Sequence, residues 1–306
     1  MDTLSRLIEL SRLQPSLDLR CRLEGTFDID HDPVQEGVIP FHLVLDGSCV
    51  IHFGGGRQVI LRAGDFFLLP RGDAHVISDG GAGGIAAPLR ISHVGMLPLR
   101  QNGETGGDLD LLCGHFTCAP GSSALLVDSL PDPFHTSLAS LHTEDMLRTF
   151  VALLRQETML EQPGALLIVT SMCLALFVMA LRTRYAAPAQ PPGLLALLAD
   201  PRLSKSVRAA MAAPGNRWTI DQLAEACAMS RATFARQFKA CAGMTVGDFL
   251  TSLRLSVASD LLVNTKRGIA DIAAEVGYES EAAFGKVFKA KNGLTPARFR
   301  HSQTSL

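Results

Sequence analysis

The chain has 306 residues, 47% hydrophobic and 19% charged, so it is long enough for two separate cores and too apolar for a disordered charged tail. The formal net charge of −2 hides an asymmetry: residues 202–306 hold 15 Lys+Arg against 8 Asp+Glu, net +7, and residues 1–201 hold 13 against 22, net −9. A basic C-terminal part suits a phosphate backbone and an acidic N-terminal part is repelled from one, so nucleic-acid contact is expected only in the last third.

Residues 1–13 alternate charged with apolar side chains and lack the continuous apolar run of a signal peptide, so a cytoplasmic protein is expected. Its seven cysteines are then expected as thiols rather than a disulfide framework. Cys21 lies between Arg20 and Arg22, and neighbouring cations raise a thiol's thiolate fraction. Short apolar or alternating runs follow at residues 38–45, 49–53, 58–61 and 66–69, punctuated by Asp46-Gly47, Gly54-Gly55-Gly56 and Ala63-Gly64-Asp65. That is the rhythm of a small β-barrel or jelly roll.

The spacing Gly64, five residues, Pro70, one residue, Gly72, two residues, His75 resembles the second cupin motif. Of the first cupin motif, His42 stands at the first histidine position, Val44 occupies the second, and no glutamate follows before Gly47. A cupin metal takes three histidines and a carboxylate, so the resemblance implies two missing ligands and no catalytic metal or other cofactor. His42 and His75 are left as weak metal candidates or as hydrogen-bonded barrel residues.

The glycine-rich residues 81–110 are expected as a surface loop, with strand character returning at 111–116. Cys113 precedes His115 by two residues, and Cys118 completes a Cys-x4-Cys spacing that lacks a fourth zinc ligand. Helices are expected at about 144–160 and 164–184. The second contains Ala165 to Leu181 without a charge, the short limit for a membrane span. With no second such run and no export signal, a buried or dimer-interface helix is expected and no membrane partner. Residues 186–193, rich in Pro and Ala, are expected as a linker, followed by a lead-in helical segment over 194–213. The domains are thus placed at 1–185 and 194–306.

The C-terminal part contains one unit written twice. Phe234, Phe238, Lys239, Ala240, Gly243 and Thr245 recur as Phe284, Phe288, Lys289, Ala290, Gly293 and Thr295, each 50 residues on. Each copy starts with an apolar helical signature, breaks at a turn, and restarts behind a serine, Ser230 or Ser280, able to cap the next helix. Two short helices joined by a tight turn make a helix-turn-helix, and the phenylalanines four apart anchor its second helix to a core. The opposite faces, with Arg231, Thr233, Arg236 and Lys239 in one copy and Glu281, Lys286 and Lys289 in the other, are candidate DNA-reading surfaces or ordinary solvated faces. A bridging helix is expected at roughly 246–263.

Residues 218–224, 229–234, 272–280 and 293–300 resemble the AraC/XylS-type bacterial transcription regulators, whose DNA-binding domain is two such units. The resemblance implies double-stranded DNA as partner, Arg236 and Lys286 aimed at base edges, and Ala232, Ala235 and Ala282 on the same surfaces. It also implies a homodimer formed through the helices beside the barrel, and contact with RNA polymerase. The stretch 1–7, Cys21 and residues 112–114 further resemble a cupin-bearing branch that includes a reactive-chlorine-responsive regulator, which makes Cys21 and Cys113 candidate redox-switch residues. Their alternative role is that of small buried hydrophobes.

The expected fold is therefore α+β: an N-terminal cupin-like β-barrel or jelly roll with helices, and a C-terminal all-α double helix-turn-helix domain. The expected function is a DNA-binding transcription regulator, not an enzyme, whose barrel senses an effector or oxidant. The rival reading is a cupin-type metal enzyme with an accessory DNA-binding domain.

Overall fold

The computed structural model describes all residues except 1, 82–86, 94, 104–106, 119–124, 141–143, 161, 188–189 and 305–306. The chain divides into two compact units, one of residues 14–117 and 132–184, the other of residues 1–13, 118–131 and 185–306.

The first unit is built on strands β1 (Gln14–Leu23), β2 (Asp28–His31), β3 (Val38–Phe53), β4 (Arg57–Arg62), β5 (Asp65–Leu68), β6 (His75–Ser78), β7 (Arg90–His93), β8 (Pro98–Gln101), β9 (Leu109–Thr117) and β10 (Phe134–Ser137). They form a curled half-barrel. One layer runs β10-β5-β3-β9-β1-β8-β7, while β4, β6 and β2 extend a second layer from the other end of β3. The Asp46-Gly47 turn expected from sequence is not a turn: β3 passes through it as one strand of 16 residues with a register shift between Val44 and Asp46. A bulge bends a strand without ending it, which lets β3 serve both layers. Gly47 is required there, because a Cβ would sit 1.8 Å from the Asp108 carbonyl oxygen and its φ is +79°.

The loop expected over residues 81–110 needs a similar correction, since β7 and β8 lie within it. Strand β8 pairs in parallel with β1, Cys21 opposite Arg100. A four-residue strand bounded by glycines carries no periodicity of its own, and pairing with a distant strand supplies the order. Residues 82–86, 94 and 104–106 of the expected loop lie outside the described residues.

Helices α2 (Glu144–Leu160) and α3 (Ala165–Ala186) complete this unit up to residue 184. Val169, Met172, Cys173, Leu176, Phe177, Ala180 and Leu181 make one buried face of α3, and Phe177 meets Phe66 and Phe116 at ring-centroid distances of 6.3 and 5.0 Å. The charge-free run is therefore half core helix, as its position against a sheet demands. Its first turn leaves Leu166, Leu167 and Ile168 exposed, and α2 exposes Met146, Leu153 and Met159.

In the second unit α1 (Thr3–Ser11) lies against α8, and the remaining helices are α4 (Leu194–Ala199), α5 (Leu203–Ala212), α6 (Ile220–Ala226), α7 (Arg231–Ala242), α8 (Val246–Asn264), α9 (Ile269–Glu275), α10 (Glu281–Asn292) and α11 (Pro296–Thr304). Part of the expected 186–193 linker, residues 188–189, lies outside the described residues. The two helix-turn-helix units are α6–α7 and α9–α10. As expected, Ser230 and Ser280 cap the second helices, accepting bonds from Thr233 N (3.3 Å) and Ala283 N (3.2 Å). Phe234, Phe238, Phe284 and Phe288 are fully buried. Phe238 packs on Phe249 of α8 and Phe288 on Phe299 of α11, so each second helix is bolted to the helix that follows it.

The copies differ by one residue in the turn: Leu223 and Ile272, on the first helices, are 49 residues apart, and Phe234 and Phe284 are 50 apart. At the left-handed position of the turn the second copy has Gly277 (φ 86°), but the first has Ala228 (φ 53°), which is exposed. An L-residue there costs about 1–2 kcal/mol, against a chain-entropy cost for Gly of about 0.5–1 kcal/mol.

Two outcomes follow. Ala228→Gly should raise the stability of the helical unit by up to about 1 kcal/mol, read from urea unfolding by the fluorescence of Trp218, the single tryptophan; a loss of stability would mean the turn is not strained. Phe177→Ala should destabilise the sheet unit by about 3–5 kcal/mol, seen as faster amide exchange in β3 and β9, and unchanged exchange would show that α3 does not hold that face of the sheet.

Candidate functional site

The solvent faces of α7 and α10 repeat the same exposure. Arg231, Ala232 and Arg236 are exposed, and so are Glu281, Ala282 and Lys286 at the equivalent positions. Thr233 and Ala235 are only half-exposed, and Thr233 is held at the cap, its hydroxyl 3.0 Å from that of Ser230. Arg231 is bridged to Asp221 of α6 at 2.9 Å. Among the described residues no acidic group holds Arg236 or Lys286, so both cations project from the middle of their helices into solvent. A helix of this kind fits a major groove, where a guanidinium can grip guanine O6 and N7.

The interior of the half-barrel holds a second constellation. Strand β9 pairs with β3 and β1, placing Cys113 directly opposite His42 and diagonal to Cys21, whose own partner is Leu111. The diagonal neighbours share a face, and their thiols hydrogen bond. The hydrogen bond between the two thiols holds the Cys21 thiol below its ordinary value, and the same bond with burial pushes Cys113 well above. The expected cause, the flanking arginines, is not the operative one. Alternation turns Arg20 to the other face, where it grips Asp110 at 2.6 and 2.8 Å alongside Arg155, while the cation that favours the Cys21 thiolate is Arg100 across the β1–β8 pair.

His42 Nδ1 lies 3.2 Å from Cys113 Sγ, and its Nε2 lies 2.7 Å from Nε2 of His75. The sequence left His42 and His75 without an obvious third partner, and the fold supplies one: His31, on β2, pairs directly with His75 on β6 and stacks on it at 4.5 Å. One ligand atom from each of the three lies within 4.8 Å of the other two. Burial, with His75 beside it, brings His31 down to about 4, burial holds His42 well below the ordinary imidazole value, and burial lowers His75. All three rings are neutral at pH 7. No sequence motif points to His31, because it sits outside both cupin motifs and reaches the site only through strand pairing. Among the described residues Cys113, His115 and Cys118 form no such group: Cys113 faces inward and His115 bonds to Asp18 at 2.8 Å near the surface.

A basic double helix-turn-helix behind a half-barrel is the architecture of a DNA-binding transcription regulator. A family profile described as a cupin matches residues 2–186, and one described as a helix-turn-helix domain matches residues 223–302. A Haemophilus influenzae protein named as an uncharacterized HTH-type transcriptional regulator is 34% identical over 302 residues, 99% of each chain. The RCS-specific HTH-type transcriptional activator RclR of Escherichia coli is 30% identical over 301 residues, covering 98% of this chain and 97% of that one. The HTH-type transcriptional regulator MtrA of Neisseria gonorrhoeae is 30% identical over 306 residues, 98% of each. The chain belongs to the AraC-type helix-turn-helix transcriptional regulators that carry an N-terminal cupin domain. These relatives are named as regulators, which does not favour the reading as a metal enzyme.

Proposed function

We propose that the protein is a cytoplasmic, homodimeric, oxidant-responsive regulator that reads its operator through Arg236 and positions itself through Lys286. What carries the reading of DNA is the recurrence of an exposed, acid-free cation at one position of both second helices. Arg231, Ala232, Thr233 and Ala235 flank Arg236, and Glu281 and Ala282 flank Lys286. The division of labour follows from chemistry: a guanidinium fork matches a base edge bidentately, and an ammonium is a point charge suited to phosphate. Sensing is assigned to residues 1–185 and DNA binding to 194–306. The exposed apolar side chains of α2 and α3 fit a homodimer contact. The name of the Escherichia coli relative supports activation, hence a contact with RNA polymerase, and a reactive chlorine species as signal.

The Cys21–Cys113 pair is the proposed oxidant switch. The Cys21 thiolate attacks hypochlorous acid, and the Cys113 thiol then displaces the oxidised group. The two thiols lose two electrons in forming one S–S bond, and the acid is reduced to chloride and water. The bond ties β1 to β9, and it alters transcription only in so far as the tied and untied strands differ in how they bias the DNA-binding domains.

Arg236→Ala should cost about 1–3 kcal/mol on the cognate operator and much less on random DNA; a titration giving equal losses on both would demote Arg236 to a phosphate contact. Cys21→Ser and Cys113→Ser should each abolish induction of an operator-linked reporter by hypochlorous acid, and a parental response from both would remove the pair as the switch.

A further inference from the structure

We propose that His31, His42 and His75 form a three-imidazole site for a divalent transition-metal ion of the zinc type, and that the ion, once bound, reverses the hydrogen bond between His42 and Cys113.

His31 Nδ1 lies 3.3 Å from the Ile29 carbonyl oxygen and His75 Nδ1 3.2 Å from that of Asp73. A carbonyl oxygen only accepts, so both Nδ1 atoms carry the proton of their neutral rings and both Nε2 atoms present lone pairs. This is the supporting arrangement of metal-bound histidines, in which the nitrogen away from the metal donates to a carbonyl and fixes the ring.

His42 makes one contact with each ring nitrogen. Its Nε2 faces the lone pair of His75 Nε2 at 2.7 Å, a separation that needs a cationic centre or a proton between the two nitrogens. A proton on His42 Nε2 satisfies that contact, but it leaves Nδ1 as an acceptor that must take the S–H of Cys113 at 3.2 Å. Cys113 then has no proton left for Cys21, and the bond between the thiols runs from the Cys21 S–H to Cys113 Sγ. A metal ion on the Nε2 atoms reverses that bond: His42 carries its proton on Nδ1, donates it to Cys113 Sγ, and frees the Cys113 proton for Cys21. No proton is gained or lost, since the His42 proton passes from Nε2 to Nδ1 and the Cys113 proton turns from His42 to Cys21.

The donor set suits the ion. Zinc bound at about 2.0–2.1 Å in a tetrahedron holds its nitrogens about 3.3 Å apart, between the 2.7 Å contact and the 4.8 Å spread of the cluster. Three imidazoles without a carboxylate favour zinc over calcium, magnesium or manganese. His31, partly exposed at the rim, leaves the fourth position to solvent or a small anion. The set is not that of the cupin motifs, because β2 contributes a ligand they do not contain and Val44 stands where they place one.

The metal site stands on this geometry alone, and its consequence for the thiols rests on the redox reading above. The test uses the full-length protein, stripped with a chelator and titrated with cobalt(II) chloride and then zinc sulfate. One cobalt per chain should bind with the visible absorption of a low-coordinate nitrogen site, and zinc should bleach it. Because His31→Ala leaves the His42–His75 contact in place, it should fold like the parent by circular dichroism and bind zinc more than about 100-fold less tightly, beyond the 10–100-fold lost with a supporting hydrogen bond. Long-range proton–nitrogen correlation on 15N-histidine protein should show His42 passing from the Nε2–H to the Nδ1–H tautomer as zinc is added. Parental zinc affinity in a folded His31→Ala variant, or an unchanged His42 tautomer at zinc saturation, would overturn the proposal. Cobalt binding by Cys21→Ser together with a silent reporter separates this result from the redox reading: the band reports the histidines and the reporter reports the thiols.

Discussion

Strand β9 is hydrogen-bonded along both edges, to β1 on one side and β3 on the other, and the sheet unit depends on the two-residue alternation that this double pairing locks in. Leu109, Leu111 and Cys113 face the interior of the half-barrel, while Phe116 faces α3. A slip of one residue would exchange the faces and bring Cys113 under Phe177. Gly114 holds the register, because a Cβ there would meet the Ser16 carbonyl oxygen at 2.4 Å and the Phe41 ring at 2.7 Å. Without a side chain, β9 sits close enough to both for thiol, thiol and imidazole to meet.

The interior cluster shows how one buried contact sets the properties of the next. Burial keeps the three histidines neutral, so they act as donors, acceptors or ligands rather than charges. Cys113 is the hinge between them and Cys21, for its single proton goes to one neighbour at a time. Cys173 differs: burial alone pushes it up to about 12, where it is an inert packing group.

In the helical unit, duplication applies one packing solution twice to two surfaces of different chemistry. The buried positions are nearly interchangeable, Leu223 for Ile272 and Phe234 for Phe284, because each copy must seat its second helix on the helix that follows. The exposed positions are not: Arg231 opposes Glu281 and Arg236 opposes Lys286. Core identity with surface divergence is what a scaffold produces when packing constrains one face and recognition the other.

Much of this was legible in the residues. The serine caps, the phenylalanines four apart, the bridging helix and the strand rhythm of the N-terminal part are local signals, set within a turn or a few alternating residues, and the structure keeps them. Signals that depend on a distant strand were misread or silent. Asp46-Gly47 has turn chemistry but lies within β3, because pairing with β9 carries the chain through it. Arg20 and Arg22 flank Cys21 in sequence, yet alternation places them on the opposite face. His31 belongs to no motif, and only the β2–β6 ladder stacks it on His75. The sequence by itself thus determined the elements, the repeat and the family, since caps, periodicity and spacing act over a few residues. The tertiary structure decided which side chains meet, because register between strands far apart in the chain sets the face and the neighbour of every thiol and imidazole in the barrel.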